Sequence, residues 1–180
     1  MAGIKILDLN VKDGEVQTVC VNMGSPELVP KNIPIDSNLD RFISEDVEVD
    51  GKVYKVTGVS MGNPHAVTFI DDTDSLEIEK IGPKFETHKL FPKKINTEFA
   101  QIVDRNTVKM RVWERGAGET LACGTGACAT MVAANLNGLV DDEADLVLLG
   151  GTLHIKWDKN ENKVYMTGPA KFVFDGTITL

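Results

Sequence analysis

Hydrophobic and polar residues alternate along much of the chain, with the period of two that is typical of half-buried β-strands. At residues 107–113, three apolar residues alternate with Lys109 and Arg111, and residues 152–157 show the same pattern. Similar runs predict strands at residues 4–9, 16–23, 53–59, 66–70, 96–103, 146–149, 164–166 and 172–179. The chain is therefore predicted to be rich in β structure.

One segment has a clear helical pattern. Residues 124–137 are small or apolar around the whole helix axis, and Gly138 is well placed to end the helix. A shorter helix is predicted at residues 74–80, with Asp74 as its N-cap and Gly82 and Pro83 following its end. Three prolines in residues 24–34 indicate a connection.

The longer helix determines the predicted architecture. A helix that is apolar on every face is buried on every side. Since predicted strands precede and follow it, we expect an α+β fold in which a mostly antiparallel or mixed sheet curls around a central buried helix.

Composition limits the classes of function. With 180 residues, 42% of them hydrophobic, the chain can form a core of its own. A formal net charge of -8 and a pI of about 4.9 argue against nucleic acid and anionic membranes as partners. The uncharged run at residues 121–140 contains too many glycines and polar residues for a membrane span. No signal peptide is visible after Met1.

The cysteine pattern indicates reduced thiols. The three cysteines, Cys20, Cys123 and Cys128, show no disulfide framework, so we expect a cytoplasmic protein. A metal site is not predicted, because Cys123 and Cys128 are poorly spaced as a ligand pair and no histidines cluster around them.

The segment ERGAGETLACGTGACAT at residues 114–130 holds the candidate chemistry. It places Cys123 at the start of the long helix, where unpaired N–H groups and a partial positive charge favour anions. The same field lowers a thiol pKa, so Cys123, Gly124 and Thr125 offer a base and an anion-binding site together. The alternative is a buried structural cysteine beside close-packed glycines.

A second alternative for the same segment is a dinucleotide-binding site. The spacing of Gly124, Gly126 and Ala129, with acidic residues at 141–143, matches a dinucleotide fingerprint. A glycine-rich turn precedes it where a buried parallel strand is required, so this interpretation is not favoured. Cys128 and Cys20 are expected to be structural.

Four further segments complete a resemblance. MGNPHAV (residues 61–67), INTEFAQ (95–101), YMTGPA and DGTITL, together with the segment containing Cys123, resemble the diaminopimelate epimerase family. The resemblance covers essentially the whole chain. It implies a PLP-independent, cofactor-free isomerase of lysine and peptidoglycan biosynthesis, which interconverts LL- and meso-diaminopimelate with two cysteines, one as base and one as acid.

The resemblance also implies roles for particular residues. It makes Cys123 one of the two catalytic thiols. The other roles are carboxylate binding by the amides of Gly124 and Thr125, ammonium binding by Glu114, distal carboxylate binding by Arg115 with Asn63 and Asn96, and control of the thiol pKa by His65 and Glu114. The residues alone leave other interpretations open: a turn at Asn63, a cap at Asn96, a solvated ion pair of Glu114 and Arg115, and a core histidine at His65.

The family has two similar halves, and this chain contains one thiol unit of that kind. We therefore expect residues 24–168 to be the complete second domain, and residues 1–23 and 169–180 to be remnant strands of the first. The expected partners are the substrate, the first half of the enzyme, and a second copy of the chain as a homo-oligomer. We expect the chain alone to be inactive. A non-catalytic assembly or regulatory role, or a related PLP-independent amino-acid racemase, stays open.

Overall fold

The computed structural model describes residues 5–179, which form an 11-stranded mixed sheet and two α-helices. The helices are α1 (Ile78–Glu86) and α2 (Gly124–Leu136), and a 3₁₀ turn spans Pro30–Asn32. The strands are β1 (Leu7–Lys12), β2 (Glu15–Gly24), β3 (Glu45–Val49), β4 (Lys52–Ser60), β5 (Pro64–Phe69), β6 (Asn96–Asp104), β7 (Thr107–Glu114), β8 (Gly118–Thr120), β9 (Glu143–Leu148), β10 (Gly151–Asp158) and β11 (Lys163–Pro169). The predicted α+β class is confirmed.

The strands follow the order β1-β2-β11-β10-β9-β7-β6-β5-β4-β3, with β8 paired to β7. Adjacent strands are antiparallel except for the pairs β5–β6 and β7–β9. In the parallel β5–β6 pair, His65 lies opposite Asn96 and Val67 lies opposite Glu98. This register brings polar residues of two distant segments to one place on the sheet.

Helix α2 lies inside the curl of the sheet, as the sequence predicted. It packs against β4, β5, β6, β9, β10 and β11, and every residue from 126 to 134 is buried. Gly138 follows the helix with a φ of +71°, the left-handed conformation in which glycine commonly ends a helix. The start of α2 is thereby fixed against the ends of several strands.

Two apolar clusters lie on opposite faces of the sheet. The cluster around α2 includes Val67 and Ala100, while Ala66 and Phe99 belong to the cluster that also holds Phe85 of α1. Because side chains alternate along a strand, Glu98 shares the α2 face with Ala100. Neither α1 nor α2 is long and apolar enough to cross a membrane, and no other helix within residues 5–179 is.

The predicted short helix was misplaced. Helix α1 begins at Ile78 after Glu77, and it includes Gly82 and Pro83, which were expected to lie beyond its end. Asp74 is not an N-cap. Its carboxylate pairs with Lys109 at 2.7 Å, and its N–H donates to Asp72 in a local turn.

The strand prediction also needs correction. Residues 172–179 are exposed and form no strand, and β3 and β8 were not predicted. The strand expected at residues 4–9 is observed as Leu7–Lys12, and residue 4 lies outside the described residues. The proposed division into a complete domain and remnant strands stays a prediction.

Candidate active site

Cys123 is the N-cap of α2. Its backbone is extended, with φ -134° and ψ 104°, and its Sγ accepts a hydrogen bond from the N–H of Gly126 at 3.4 Å. A thiol in this position replaces the serine or aspartate that more often caps a helix. The residue is 7% exposed, so the sulfur is largely shielded from solvent.

The first turn of α2 has free donors. Gly126 donates to the thiol and Ala127 donates to the carbonyl of Cys123, but the N–H groups of Gly124 and Thr125 meet no acceptor among residues 5–179. Both residues are half-buried. Two adjacent unpaired N–H groups at a helix N-terminus are suited to bind a carboxylate.

A chain of side-chain hydrogen bonds leads away from the thiol. Cys123 Sγ lies 3.5 Å from Thr125 Oγ1, and that hydroxyl accepts from Asn63 Nδ2 at 3.2 Å. The Asn63 carbonyl oxygen lies 3.1 Å from His65 Nε2. The structure thus brings together four of the predicted site residues, which lie on two separate stretches of the chain.

Glu98 extends this chain and was missed by the sequence analysis. Its Oε1 lies 2.7 Å from His65 Nδ1, and both side chains are completely buried. The sequence signal was the position of Glu98 on the same strand face as Ala100. A carboxylate that faces an apolar core is rarely buried without a polar partner. Gly126 makes room for it, because a Cβ there would lie 2.6 Å from Glu98 Oε1 and 3.2 Å from Cys123 Sγ.

The expected lowering of the thiol pKa is wrong for this structure. Burial raises the pKa of Cys123 to about 11, and the carboxylates of Glu98 and Glu114 also raise it. The hydrogen bonds with Thr125 and Gly126 lower it but do not compensate. Cys123 is therefore a thiol near neutral pH, and the thiolate it forms is a stronger base than an ordinary one.

Glu114 and Arg115 lie at the end of β7. Glu114 is half-buried and accepts a hydrogen bond from the hydroxyl of Thr120 at 2.5 Å. Arg115 is exposed, and its guanidinium donates to the carbonyl of Lys93 at 3.1 Å. The cationic group of Arg115 therefore stays accessible to a ligand carboxylate.

Asn96 holds this region by its amide group. It donates to the carbonyl of Pro64 at 3.0 Å and accepts from the N–H of Arg115 at 2.9 Å. Both polar groups of its side chain are thus engaged with the backbone, one on each side of the site. Direct contact of Asn96 with a substrate stays a prediction, whereas its contacts tie the segment before His65 to Arg115.

Glu86 is a second residue that the sequence analysis missed. Its carboxylate accepts from Gly116 N–H at 3.2 Å, from Trp113 Nε1 at 2.9 Å and from Lys94 Nζ at 2.9 Å. Burial alone would raise the pKa of Glu86, but the three hydrogen bonds bring it below the ordinary value. An ionised Glu86 thereby anchors the turn that follows Glu114.

An open cavity of about 600 Å³ adjoins the hydrogen-bonded chain, and Met61, Asn63 and Thr125 form part of its wall. The thiol lies one hydrogen bond behind this wall. A larger cavity of about 710 Å³ lies elsewhere, between the β1–β2 hairpin and residues 170–172. The cavity beside Thr125 is the better candidate for a substrate site, because Asn63 and Thr125 in its wall are joined by hydrogen bonds to the thiol.

The other two cysteines take no part in the hydrogen-bonded chain. Cys128 is completely buried in the middle of α2, and burial raises the pKa of its thiol to about 12. Cys20 lies on β2 opposite Thr167 of β11. Neither has the donors found around Cys123.

Comparison with known proteins supports a single family. The family model described as diaminopimelate epimerase matches residues 57–173. The chain is 59% identical over its whole length to diaminopimelate epimerase of Acetivibrio thermocellus and 52% identical to that of Methanococcus maripaludis. It spans 64% and 65% of the length of these two relatives.

Solved structures agree with the fold. A hydroxyproline epimerase from Agrobacterium vitis superposes with a TM-score of 0.65 at 12% identity, covering 93% of this chain and 54% of that one. A probable proline racemase from Agrobacterium radiobacter gives the same TM-score and identity, covering 97% and 58%. At such low identity these structures support the fold alone, whereas the family model matches more than half of the residues, and the chain belongs to the diaminopimelate epimerase family.

Proposed function

We propose that the chain takes part in the interconversion of LL- and meso-2,6-diaminopimelate, with Cys123 as one of two catalytic thiols. The observation that carries this proposal is the thiol at the N-cap of α2, beside two free N–H groups and within reach of a cavity. Membership of the family supplies the substrate.

The chemistry follows from the placement of charge. The free N–H groups of Gly124 and Thr125 bind the carboxylate of the reacting carbon, and their dipoles stabilise the negative charge that develops when its α-proton leaves. Glu114 binds the adjacent ammonium group. That ammonium offsets one carboxylate that raises the pKa of Cys123, so substrate binding favours the thiolate.

Inversion requires a proton to leave one face of the carbon and another to arrive on the opposite face. Cys123 removes or returns the proton on its own face, and its electron pair stays on sulfur when the S–H bond breaks. Cys128 is completely buried, and Cys20 is not among the residues that line the cavity beside Thr125, so we assign the opposite face to neither. We propose that the second thiol comes from residues outside these 180, and that the chain alone does not epimerise the substrate.

Arg115 recognises the distal end of the substrate. Its exposed guanidinium donates to the main-chain carbonyl of Lys93, and its backbone N–H donates to the side chain of Asn96. A planar guanidinium binds a carboxylate through two parallel hydrogen bonds. This contact selects an amino acid that carries a second carboxylate, which a proline-like substrate lacks.

A chimera tests this function. The 180 residues replace the matched segment of the Acetivibrio thermocellus enzyme, and the conversion of LL- to meso-diaminopimelate is measured by chromatography. The chimera should epimerise the substrate and the chain alone should not. A folded chimera without activity contradicts the proposed reaction, and activity of the chain alone contradicts the need for a second thiol.

We further propose that one apolar surface of the chain packs against the remaining part of such an enzyme. Leu7, Leu9 and Val11 project from β1 with about half of their surface exposed, and Phe172, Val173 and Phe174 are at least 77% exposed. Exposed apolar patches with a free strand edge favour association. The isolated chain should therefore form dimers or larger species in sedimentation at high concentration, and a strictly monomeric chain contradicts this proposal.

A further inference from the structure

Glu98 is buried deeper than any function assigned so far requires. The side chain is completely inaccessible, and its Oε2 has no hydrogen-bond partner among residues 5–179. An ionised carboxylate with one bare oxygen is strongly disfavoured in such a place. Its burial therefore favours uptake of a proton by Glu98 when one is released nearby, and the position calls for an explanation.

The directions of the hydrogen bonds between Glu98 and Cys123 indicate what the Glu98 carboxyl group can do. The Asn63 carbonyl oxygen can only accept, so His65 Nε2 must donate to it. Asn63 Nδ2 donates to Thr125 Oγ1, which leaves the Thr125 hydrogen free to point at the sulfur. In this arrangement the sulfur receives hydrogen bonds from Thr125 and Gly126, as a thiolate requires.

The same assignment of donors and acceptors places a proton between His65 Nδ1 and Glu98. With Nε2 protonated, the short contact between His65 Nδ1 and Glu98 Oε1 contains one further proton, on either the ring or the carboxyl group. The pair of His65 and Glu98 then holds two protons and has no net charge. This arrangement accompanies the thiolate.

The reverse arrangement accompanies the thiol. If the pair holds one proton, on Nδ1 and donated to an ionised Glu98, Nε2 becomes an acceptor. The Asn63 amide then turns over, the Thr125 hydroxyl donates to it, and the thiol donates to Thr125. Counted over Cys123, His65 and Glu98, both arrangements contain two protons and a net charge of -1. The negative charge moves between the sulfur and the carboxylate.

We propose that Glu98 is a positioning residue for Cys123, which together with His65 takes up one proton when the thiol gives one up. The S–H bond breaks, the electron pair stays on sulfur, and one N–H or O–H bond forms in the pair. Turnover of the Asn63 amide and rotation of the Thr125 hydroxyl adjust the hydrogen bonds between them.

The groups that face the sulfur come from four elements. Glu98 on β6, Glu114 on β7 and Cys128 farther along α2 interact with it electrostatically, and His65 on β5 is joined to it through Asn63 and Thr125. Glu98 and Glu114 are the carboxylates that act on Cys123, and Glu98 alone is joined to it through hydrogen bonds. The proposal rests on the proposed catalytic role of Cys123, but its test measures the thiol and needs no turnover.

The rate at which iodoacetamide alkylates Cys123 tests the coupling in the full chain, followed by peptide mass spectrometry between pH 6 and 10. An isolated thiol with a raised pKa would react about tenfold faster for each pH unit. Internal proton transfer instead makes the thiolate fraction independent of pH over part of this range. We expect a plateau of at least about one pH unit in the wild type.

Glu98→Gln keeps a hydrogen-bonding group at Nδ1 but cannot take up the proton. The plateau should disappear, leaving one continuous rise that lies at lower pH because a nearby negative charge is gone. Glu119→Gln is the matched control, since Glu119 is engaged by Arg111 and should retain the wild-type profile. A single continuous rise in the wild type, or a plateau that survives in Glu98→Gln, overturns the proposal.

A second measurement does not depend on the variant folding. His65 is one of three histidines, so its ring can be followed by ¹⁵N NMR. Coupling is reciprocal, and blocking Cys123 as a neutral thioether should change which nitrogens of the His65 ring carry protons, seen as changed ¹⁵N chemical shifts. Unchanged ¹⁵N chemical shifts of the His65 ring after complete alkylation of Cys123 overturn the proposal.

Discussion

Gly126 lies between the two groups that the account couples, which makes Gly126→Ala an informative perturbation. The added Cβ would lie 2.6 Å from Glu98 Oε1, 3.2 Å from Cys123 Sγ and 3.3 Å from Cys123 Cβ. The first distance is far inside van der Waals contact. Either the carboxylate or the start of α2 must therefore move.

The expected loss of stability follows from opposing effects. In an ordinary helix, replacing glycine by alanine stabilises by up to about 1 kcal/mol. Here overpacking costs about 1–3 kcal/mol, and displacing Glu98 from His65 leaves buried polar groups unpaired at about 1–3 kcal/mol more. The midpoints of these ranges leave a net loss of about 3 kcal/mol in the free energy of unfolding.

Urea denaturation followed by circular dichroism measures this loss, and Gly124→Ala is the matched control in the same helical turn. A Cβ at Gly124 meets only the end of the Met166 side chain, with Sδ at 3.0 Å and Cε at 3.3 Å. That flexible end can move, so the control should change stability little. If Gly126→Ala proves as stable as Gly124→Ala, the close packing of Glu98, Gly126 and Cys123 is refuted.

Three further predictions concern the carboxylates and the amide around the site. Glu86→Gln should lower the free energy of unfolding at pH 7 and reduce the loss of stability on acidification. A carboxyl group with a lowered pKa stabilises the fold above its ordinary value of 4.5, and this effect is lost as the pH falls below that value. Urea titrations at several pH values measure both effects, and an unchanged acid sensitivity would contradict the anchoring role. Asn96→Ala should cost about 1–3 kcal/mol, since it leaves the carbonyl of Pro64 and the N–H of Arg115 without their partner, and a melting temperature equal to that of the wild type would argue against these bonds. Glu114→Gln should move alkylation of Cys123 to lower pH by removing a carboxylate that raises its pKa, whereas an unshifted profile would show that Glu114 does not act on the sulfur.

The sequence predicts α2 well because its signal is local. A long stretch without charge, ended by Gly138, has few alternatives to a buried helix, and the thiol at its start follows from the same segment. Helix α1 was harder to place. Pro83 lies inside it, where proline ordinarily ends a helix, and packing of Phe85 into the core outweighs that preference.

Pairing between distant strands accounts for most of what the sequence could not predict. Residues 172–179 have strand-like composition, but no neighbouring strand pairs with them in the described part of the chain. Glu98 approaches His65 only through the parallel register of β5 and β6, which no local pattern specifies. The thiol pKa was misjudged for a related reason, since burial and two carboxylates from other strands outweigh the helix N-terminus.

Incorporation of solvent deuterium during inversion tests the central claim most directly, with Cys123→Ala and Cys128→Ala compared in the chimeric enzyme. The two cysteines lie in one helical segment, and in the proposed mechanism Cys123 alone of the two contacts the substrate. The account predicts that Cys128→Ala converts LL- to meso-diaminopimelate with deuterium at the inverted carbon, while Cys123→Ala loses inversion in both directions by about 10²-fold or more. Inversion with deuterium uptake at the wild-type rate in Cys123→Ala would contradict it.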